Sequence, residues 1–535
     1  MTTTSRHTLL ATLACAAVAV FLMFARLGDD RMRNDEATYA MAADHARGLG
    51  RWVHLAVGDP PRDYLRKPPL YVWLTAATAP LFAADDHARY RAWSAAFGVA
   101  CVAGTCALGA WFFSPSVGLL AGLALAANRR FLFDHGARAG VFDTALTLAT
   151  LTAVALAWAM DSPRRATLKW SGVGACAGLA MLLKPLAGVP ILLIVVGWRV
   201  VAARSVRTGP DGTGREGPHE YPLQVGRGHG ARVPWSGILV AMLIATAIAA
   251  PWYAAQWARY GPRFTHEMFR RNLVDRATVG IDVEQNEGSL YYVASIATSS
   301  PAFAVALPAV VALAVAAVRR GHPARRPAAV VAGVTLAWLA LFTASRGKAA
   351  HYAYPVYPML AIAVAAAAVG MAQAAAARWP RAPRVGAAAV AMMFVVEVAW
   401  VYGRTLPRDT RPFAPWAVYQ AVAPDAAAGR ARVVFYPTPV PRKVQAQMQF
   451  YGMRMTAARV ARTPDELRAI VADGRPTLVY AWRGAKGWRP EDDEAFRAHR
   501  YAPLSTSTDD VVVTALNFDP PTAPPRPAGV ERDGR

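Results

Sequence analysis

The chain has 535 residues, of which 55% are hydrophobic and only 17% carry a charge. This composition excludes an ordinary soluble globular protein and is typical of a protein that crosses a membrane several times. The formal net charge is +23. The excess basic residues lie in short loops between apolar segments, a pattern that membrane topology explains better than nucleic-acid binding does.

Apolar segments long enough to cross roughly 30 Å of hydrocarbon recur along the N-terminal part of the chain. We predict about eleven transmembrane helices, at 8–27, 88–111, 116–131, 142–160, 170–183, 187–203, 235–253, 291–317, 328–344, 354–375 and 385–403. The segments at 116–131 and 170–183 are short for helices that cross a bilayer. The chain is therefore expected to be an α-helical polytopic membrane protein.

Arginine-rich loops define the orientation of these helices. The loops at 161–169, 199–233, 319–326 and 378–384 carry many arginines and few acids, so the positive-inside rule places them and the N-terminus in the cytoplasm. The loop 28–68, with seven basic and seven acidic residues, then lies outside. Several ionisable residues fall at this outer face: Asp35, Glu36, Lys67, Asp143, Lys184, Arg276 and Lys348.

The pattern changes after Gly403. Segments such as "RVVFYP" and "PTLVYAW" read as strands, and "PRKVQAQMQFYG" and "TPDELRAIVADG" read as helices. We therefore expect a transmembrane domain over 1–403 with juxtamembrane helices on its outer face, a small α/β domain outside the cytoplasm over 404–519, and a proline-rich disordered tail over 520–535.

Each outer-face residue also has a purely structural interpretation. The Asp35–Glu36 pair is compatible with a solvated acidic collar, and the lysines with side chains that extend to lipid headgroups. Asp143 is compatible with a carboxylate stabilised by a helix dipole, and the tyrosines with an interfacial aromatic belt. These structural explanations are independent of one another, yet the residues that they explain all lie at the outer face of the membrane. Such a one-sided cluster favours a functional site.

Sugar transfer from a polyprenyl phosphate requires such a set of residues. The leaving group is a phosphate, so cations at the bilayer surface must hold it and stabilise its developing charge. The incoming hydroxyl needs a carboxylate to accept its proton. A second carboxylate can orient the sugar or support positive charge at the anomeric carbon.

Seven short segments carry a resemblance to a known family. They are "DEATYAMAADHARGLGRW", "YLRKPPLYVWLTAATAPLF", "GVFDTALTL", "GLAMLLKPLAGVP", "APWYAAQWARYGPRF", "LYYV" and "GKAAHYAYPVYPML". In order and spacing, the chain resembles the lipid A 4-amino-4-deoxy-L-arabinose transferase family. This family belongs to the GT-C glycosyltransferases, which also include the protein O-mannosyltransferases.

The resemblance implies a glycosyltransferase of the bacterial inner membrane. Such an enzyme takes its sugar from undecaprenyl phosphate on the periplasmic side and passes it to lipid A (lipopolysaccharide modification), another cell-envelope glycan or a protein. The implied catalytic residues are Asp35, Asp143 and Glu36. We assign carrier-phosphate binding to Lys67, Arg66 and Lys348, and substrate or lipid contact to Tyr39, Tyr64 and Tyr352.

The chain departs from the family pattern at three positions. Arg66 stands where the family tends to have Glu, Thr38 where it has Arg, and Asn272 near a His that can bind metal. Arg66 and Asn272 replace the two residues that the resemblance would make ligands of a metal. We therefore predict no metal and no required cofactor. The sugar and the acceptor stay unassigned.

Three other functions remain open at this stage. A transporter or flippase for lipid-linked sugars would place charges at the bilayer midplane and use broken helices, whereas the charges here lie at the ends of spans. An envelope scaffold would tolerate replacement of Asp35 and Lys67. A protein O-mannosyltransferase-like enzyme would share the Asp–Glu pair of the first outer loop.

Overall fold

The computed structural model describes residues 3–29, 32–58, 61–83, 86–160, 165–207, 235–278, 288–319 and 321–376, and shorter pieces between 378 and 516. The residues fall into two compact units. The first comprises Met1–Gly28, Arg51–Leu55 and Tyr64–Tyr402. The second comprises Asp29–Gly50, Ala56–Asp63 and Gly403–Arg535.

Helices dominate the described residues. In chain order they are α1 (Thr3–Phe24), α2 (Asn34–Gly48), α3 (Leu70–Thr78), α4 (Ala88–Phe112), α5 (Pro115–Ala126), α6 (Arg129–Phe133), α7 (Asp143–Ala159), α8 (Ala166–Leu183), α9 (Gly188–Arg207), α10 (Trp235–Tyr260), α11 (Pro262–Thr265), α12 (Arg276–Thr278), α13 (Tyr291–Ala297), α14 (Ala306–Val318), α15 (Arg325–Thr343), α16 (Tyr357–Ala376) and α17 (Pro464–Val471). A π-helix covers His266–Asp275, and 3₁₀ helices cover Ala79–Leu81, Pro301–Val305 and Ala350–Val356.

Seven of these helical segments are long and apolar enough to cross a membrane, counting only the described residues. They are Thr3–Phe24, Ala88–Phe112, Ala166–Leu183, Trp235–Tyr260, Pro301–Val318, Arg325–Thr343 and Ala350–Ala376. Shorter apolar helices lie at Leu70–Leu81, Pro115–Ala126, Asp143–Ala159 and Gly188–Val200. The chain is a multi-pass membrane protein.

Several predicted spans differ in detail from the observed helices. At 116–131, α5 has only 12 residues, because Asn128 ends it and caps the next helix by accepting a hydrogen bond from the Phe131 amide (3.0 Å). The predicted span 291–317 is interrupted after Ala297, and a new helical segment begins at Pro301, whose ring disfavours helical geometry at the preceding residue. The predicted span at 385–403 lies mostly outside the described residues.

Close helix packing in the first unit depends on small residues. At Gly174 of α8, a Cβ would collide with the carbonyl oxygen of Ala241 in α10. Apolar side chains gain little from association within lipid, so close backbone approach and van der Waals contact stabilise such a pair instead. Glycine at this position permits the approach that holds α8, which ends directly before Lys184, against α10.

The second unit combines the first-loop helix α2 with a small sheet region. Strands β1 (Ala56–Val57) and β2 (Arg62–Asp63) pair antiparallel. Five further strands, β3 (Arg432–Tyr436), β4 (Arg459–Val460), β5 (Thr477–Trp482), β6 (Ala502–Pro503) and β7 (Val511–Leu516), form a sheet in the order β4-β3-β5-β7-β6. Pairing is parallel for β3 with β4 and β5, and antiparallel for β7 with β5 and β6.

The predicted strands at "RVVFYP" and "PTLVYAW" are β3 and β5, and the predicted helix at "TPDELRAIVADG" is α17. Thr463 caps α17 by accepting a hydrogen bond from the Glu466 amide (3.2 Å), and Pro464 occupies its first turn. Leu467 and Val471 of α17 are buried with Val434 and Val479 of the sheet. The predicted tail at 520–535 lies outside the described residues.

A buried arginine joins the end of α17 to the sheet. Arg432 donates hydrogen bonds to both carboxylate oxygens of Asp473, at 2.8 and 2.6 Å, and to the hydroxyl of Thr477. These bonds lower the pKa of Asp473 from 3.8 to about 2. Because the folded state holds this carboxylate ionised, the bridge stabilises the folded sheet above pH 4, and that stabilisation is lost as the pH falls from about 4 to about 2.

We predict that Asp473→Asn destabilises the β3–β5 region at pH 7, and that the difference from wild type shrinks as the pH falls from about 4 to about 2. The urea concentration at which peptides from residues 432–482 lose protection from hydrogen exchange measures this effect in the purified chain. Asp465→Asn, which removes an exposed carboxylate paired with Arg468, is the control and should change little. An equal effect of both substitutions at pH 7 would contradict the prediction.

Candidate active site

The Asp–Glu pair of the first outer loop lies in the first turn of α2, within the second unit. Glu36 is only 2% exposed, and its carboxylate accepts a hydrogen bond from the Arg33 amide at 2.7 Å. A carboxylate in this position satisfies an N–H group at the helix start, as in a capping box. Asp35 is exposed, and Tyr39, one turn further along, is buried. Of the two predicted carboxylates, Asp35 is therefore the one accessible to a substrate.

In the first unit, the loop before α7 carries Asp143 as the first residue of that helix. Arg138, in the middle of this loop, is buried, and its guanidinium donates to carbonyl oxygens at the end of α1. The carbonyls belong to Leu22, Met23, Ala25 and Arg26, at 2.8 to 3.2 Å. The last carbonyls of a helix have no partner within it. Arg138 donates to two such carbonyls of α1 and to two in the turn that follows, and thereby holds the loop in place.

His135 stands at the start of the same loop in a left-handed conformation, with φ of 54°. The following residue must be glycine, because a Cβ at Gly136 would collide with the carbonyl oxygen of Phe131. The Tyr354 hydroxyl lies against the carbonyl oxygens of Arg130 (2.7 Å) and Asp134 and donates to one of them. The loop is therefore attached to the segment that contains His351.

Asp143, His135 and His351 meet where these segments converge. Asp143 is 3% exposed, and one of its carboxylate oxygens lies 3.9 Å from Nδ1 of His135. The rings of His135 and His351 are stacked, with centroids 4.2 Å apart and planes 18° from parallel. One potential ligand atom from each of the three residues lies within 4.8 Å of the other two.

Two lysines flank this cluster. The ammonium of Lys184, directly after α8, lies 4.0 Å from the centroid of the Tyr352 ring, and Tyr352 in turn packs edge-to-face on His351. On the other side, the ammonium of Lys67 lies 5.6 Å from the ring of Phe142, the neighbour of Asp143. A cation close to an aromatic face is attracted by the ring quadrupole. The first unit therefore brings Lys67, Lys184, Tyr352 and Asp143 into one continuous set of contacts.

Lys348 is buried rather than extended into solvent, with 6% of its surface exposed. Its ammonium donates a hydrogen bond to the carbonyl oxygen of Ser345 at 2.7 Å. A buried ammonium carries a desolvation cost that a surface lysine avoids, so a purely snorkelling role does not describe this residue.

Arg66 and Asn272, the residues at the two positions that depart from the family's metal ligands, are in contact. The Asn272 amide donates to the carbonyl oxygen of Arg66 at 2.9 Å, and the Arg66 guanidinium pairs with Glu267 at 3.1 Å. Arg66 is half exposed, and Glu267 also approaches Arg271 at 3.5 Å. An ion pair and an amide thus connect the loop before α3 to the π-helix. Tyr64, two residues before Arg66, is half-buried.

Comparisons with known proteins test the fold that carries these residues. Residues 66–209 match the family described as dolichyl-phosphate-mannose-protein mannosyltransferase. No curated protein sequence matches the chain. Among solved structures, the chain is similar to ArnT from Cupriavidus metallidurans bound to undecaprenyl phosphate, with 18% identity over 96% of this chain and 99% of that chain and a TM-score of 0.62.

A second group of similar structures comes from the Archaeoglobus fulgidus oligosaccharyltransferase. Its apo form gives a TM-score of 0.54 at 12% identity, over 89% of this chain and 69% of that chain. The same enzyme, AglB, in complex with an inhibitory peptide and a dolichol-phosphate gives 0.51 at 12% identity, over 97% and 75%. The chain has the GT-C fold. This confirms the α-helical polytopic GT-C fold expected from the sequence, whereas the location of the C-terminal α/β domain outside the cytoplasm stays a prediction.

The two histidines were missed by the sequence analysis. His351 lies within a segment that carries the family resemblance and His135 lies five residues before another such segment, yet neither was assigned a role. The available signal was their position, since each lies within a few residues of an assigned residue: His135 precedes Asp143 on the same loop, and His351 directly precedes Tyr352. Only the fold shows that they stack on each other.

Replacement of the two first-loop carboxylates should affect folding stability unequally. Replacing Glu36 by Ala removes the cap of α2 and should cost about 0.5–2 kcal/mol of folding stability. Replacing the exposed Asp35 by Ala should change it by less than about 0.5 kcal/mol. Thermal unfolding of the two purified variants compares them directly, and a larger loss for Asp35→Ala would contradict the capping role.

Proposed function

We propose that the chain is a membrane glycosyltransferase that moves a sugar from a polyprenyl phosphate, such as undecaprenyl phosphate, to a hydroxyl or phosphate acceptor. The observation that carries this proposal is the gathering of Lys67, Lys184 and Asp143 at one end of α7 and α8 in a GT-C fold. A similar structure, ArnT from Cupriavidus metallidurans, was solved with undecaprenyl phosphate bound. The arginine-rich loops support an active site on the periplasmic face of the inner membrane, and the same charge pattern favours a location outside the cytoplasm for residues 404–519.

In the proposed reaction, the acceptor oxygen attacks the anomeric carbon while the bond from that carbon to the carrier phosphate breaks. Asp35 accepts the proton of the acceptor hydroxyl, a role for which its exposure in the first turn of α2 suits it. Lys67 binds the departing phosphate, assisted by Arg66 and Lys348, and offsets its second negative charge. Asp143 orients the sugar or supports the positive charge at the anomeric carbon.

The remaining predicted residues take supporting roles in this proposal. Tyr64 and Tyr352 contact the substrate or lipid, and Tyr352 also holds the ammonium of Lys184 against its ring. Tyr39 and Glu36 shape the first turns of α2 around Asp35, and Glu36 does so as a cap. We propose no metal at the position formed by Arg66 and Asn272. The Arg66–Glu267 ion pair and the Asn272 amide already connect the loop before α3 to the π-helix there.

The acceptor is a glycolipid such as lipid A, another envelope glycan, or a protein. The match of residues 66–209 to a protein mannosyltransferase family supports protein hydroxyls as one class of acceptor. A lipid-linked sugar transporter is the weaker alternative. The charged residues named above lie at helix ends, whereas a transporter would need them near the bilayer midplane.

Mass spectrometry of envelope glycolipids and glycoproteins from a strain lacking this gene tests the function. We expect wild-type complementation to restore a sugar mass that complementation with Asp35→Asn does not restore, because general-base catalysis contributes about 10²–10⁴-fold. Asp29→Asn, another exposed acid of the same unit, should restore it fully. No difference in any fraction would contradict the transferase proposal. Restoration by Asp35→Asn would remove Asp35 from catalysis.

The phosphate role of Lys67 has a separate prediction. Lys67→Ala should weaken binding of undecaprenyl phosphate about tenfold or more, because a charge-assisted hydrogen bond to phosphate is lost. Binding to the purified variant in detergent measures this change. Lys169→Ala removes a lysine whose ammonium donates to the Ala159 carbonyl, between α7 and α8 at the helix ends opposite Lys184, and should leave the affinity unchanged. Equal affinities of wild type and Lys67→Ala would contradict the assignment.

A further inference from the structure

The cluster of His135, Asp143 and His351 combines three groups that bind divalent cations well. Imidazole nitrogen and carboxylate oxygen are the usual ligands of Zn²⁺ in three-residue sites, which leave a fourth position open. One ligand atom from each residue lies within 4.8 Å of the other two. Ligands of a single tetrahedral Zn²⁺ lie about 3.4 Å from one another, so the ligand atoms need to approach one another by up to about 1.4 Å.

The backbone around the cluster is held in place before any cation binds. Arg138 fastens the loop between His135 and Asp143 to the end of α1. The Tyr354 hydroxyl joins the start of that loop to the helical turn containing His351, and Trp338 donates to the carbonyl oxygen of Tyr352 at 2.8 Å. Sites whose ligands are fixed by such supporting contacts lose little entropy on binding a metal.

The side chains retain the freedom that the approach requires. His135 is 28% exposed at its side chain, so its ring can turn towards Asp143 without disturbing the core. Asp143, in contrast, is enclosed at the first turn of α7, where it supplies a buried negative charge. A cation that enters from the side of His135 therefore meets one fixed carboxylate and two imidazoles.

We propose that His135, Asp143 and His351 form a binding site for one divalent cation of the zinc class. The donor set favours Zn²⁺, Co²⁺ or Ni²⁺ over Mg²⁺ and Ca²⁺, which prefer six or more oxygen ligands. The three residues are distinct from Arg66 and Asn272, on which the expectation of no metal depends, so the proposal revises that expectation.

The open fourth position suits an oxygen of the carrier phosphate. Lys67 and Lys184 stand on either side of the cluster, through Phe142 and Tyr352, and add positive charge around it. An anionic ligand offsets the repulsion between these ammonium groups and a dication. This second step rests on the proposed function, whereas cation binding does not.

Metal titration of the full-length chain tests the site without reference to activity. The protein is purified without a polyhistidine tag, stripped with EDTA, dialysed in detergent and titrated with Co²⁺, whose visible absorption reports tetrahedral coordination, and then with Zn²⁺ as competitor. We expect one equivalent to bind. His351→Ala and Asp143→Asn should each weaken binding at least about tenfold.

Two further variants separate loss of ligands from loss of structure. His135→Asn places a shorter polar side chain at the left-handed position. It should also weaken Co²⁺ binding at least about tenfold. Its gel-filtration profile and thermal unfolding should stay close to those of wild type. His266→Ala removes a half-exposed histidine beside Glu267, near Arg66 and Asn272, and should bind Co²⁺ like wild type. Absence of tetrahedral Co²⁺ absorption in wild type would overturn the proposal, as would unchanged binding in folded His135→Asn. Loss of binding in His266→Ala alone would move the cation to the Arg66–Asn272 position and equally overturn it.

Addition of undecaprenyl phosphate to the Co²⁺-loaded protein tests the fourth position. A change in the Co²⁺ spectrum at saturating lipid supports phosphate as a ligand. An unchanged spectrum, with lipid binding shown independently, would overturn the phosphate step and leave the cation site standing. If the lipid does not bind at all, the proposed function fails instead.

Discussion

The contact between Arg138 and the end of α1 is the constraint on which the arrangement of the first unit depends. A helix that ends within an apolar environment leaves carbonyl oxygens that need donors, and a buried guanidinium is itself unfavourable unless its N–H groups are bonded. One contact serves both requirements, because the two terminal nitrogens of the guanidinium donate hydrogen bonds to four carbonyls near Phe24. The consequence extends beyond α1, because the same loop presents His135 at one end and Asp143 at the other.

Local signals account for much of what the sequence predicted correctly. Apolar segments predicted the helices of the first unit. Thr463 and Pro464, followed by an amphipathic turn, predicted α17, because a cap and its helix depend on residues only a few positions apart. Length was harder to predict. The predicted span at 116–131 averages over the polar residues that follow Ala127, where Asn128 ends α5 by capping α6, and Pro301 divides a largely apolar run. Single polar or proline residues thus outweigh the average over a window.

The site illustrates the same limit over longer separations. The lysines and carboxylates could be assigned from their residue types and their positions at the ends of apolar segments. The stacking of His135 on His351 joins residues more than two hundred positions apart and depends on the Tyr354 contact, which no local pattern contains. The sequence also did not show that Glu36 caps α2 while Asp35 is exposed. A capping box is recognised from Ser or Thr at the N-cap, and Arg33 occupies that position here. Neighbours on a helix point about 100° apart, so one can be buried while the other faces solvent.

The contacts of Arg66 indicate how the chain connects its loops where the family pattern has potential metal ligands. A metal between two loops links them strongly but needs two suitable ligands. The Arg66–Glu267 pair, together with the amide of Asn272, makes the same connection with ordinary side chains. An exposed ion pair contributes only about 0–1 kcal/mol, so this junction is weaker and more sensitive to salt than a coordinated metal would be. The loop before α3 also carries Lys67. The strength of the junction therefore affects how firmly that ammonium is held beside Phe142, and with it how well the chain can hold an anion there.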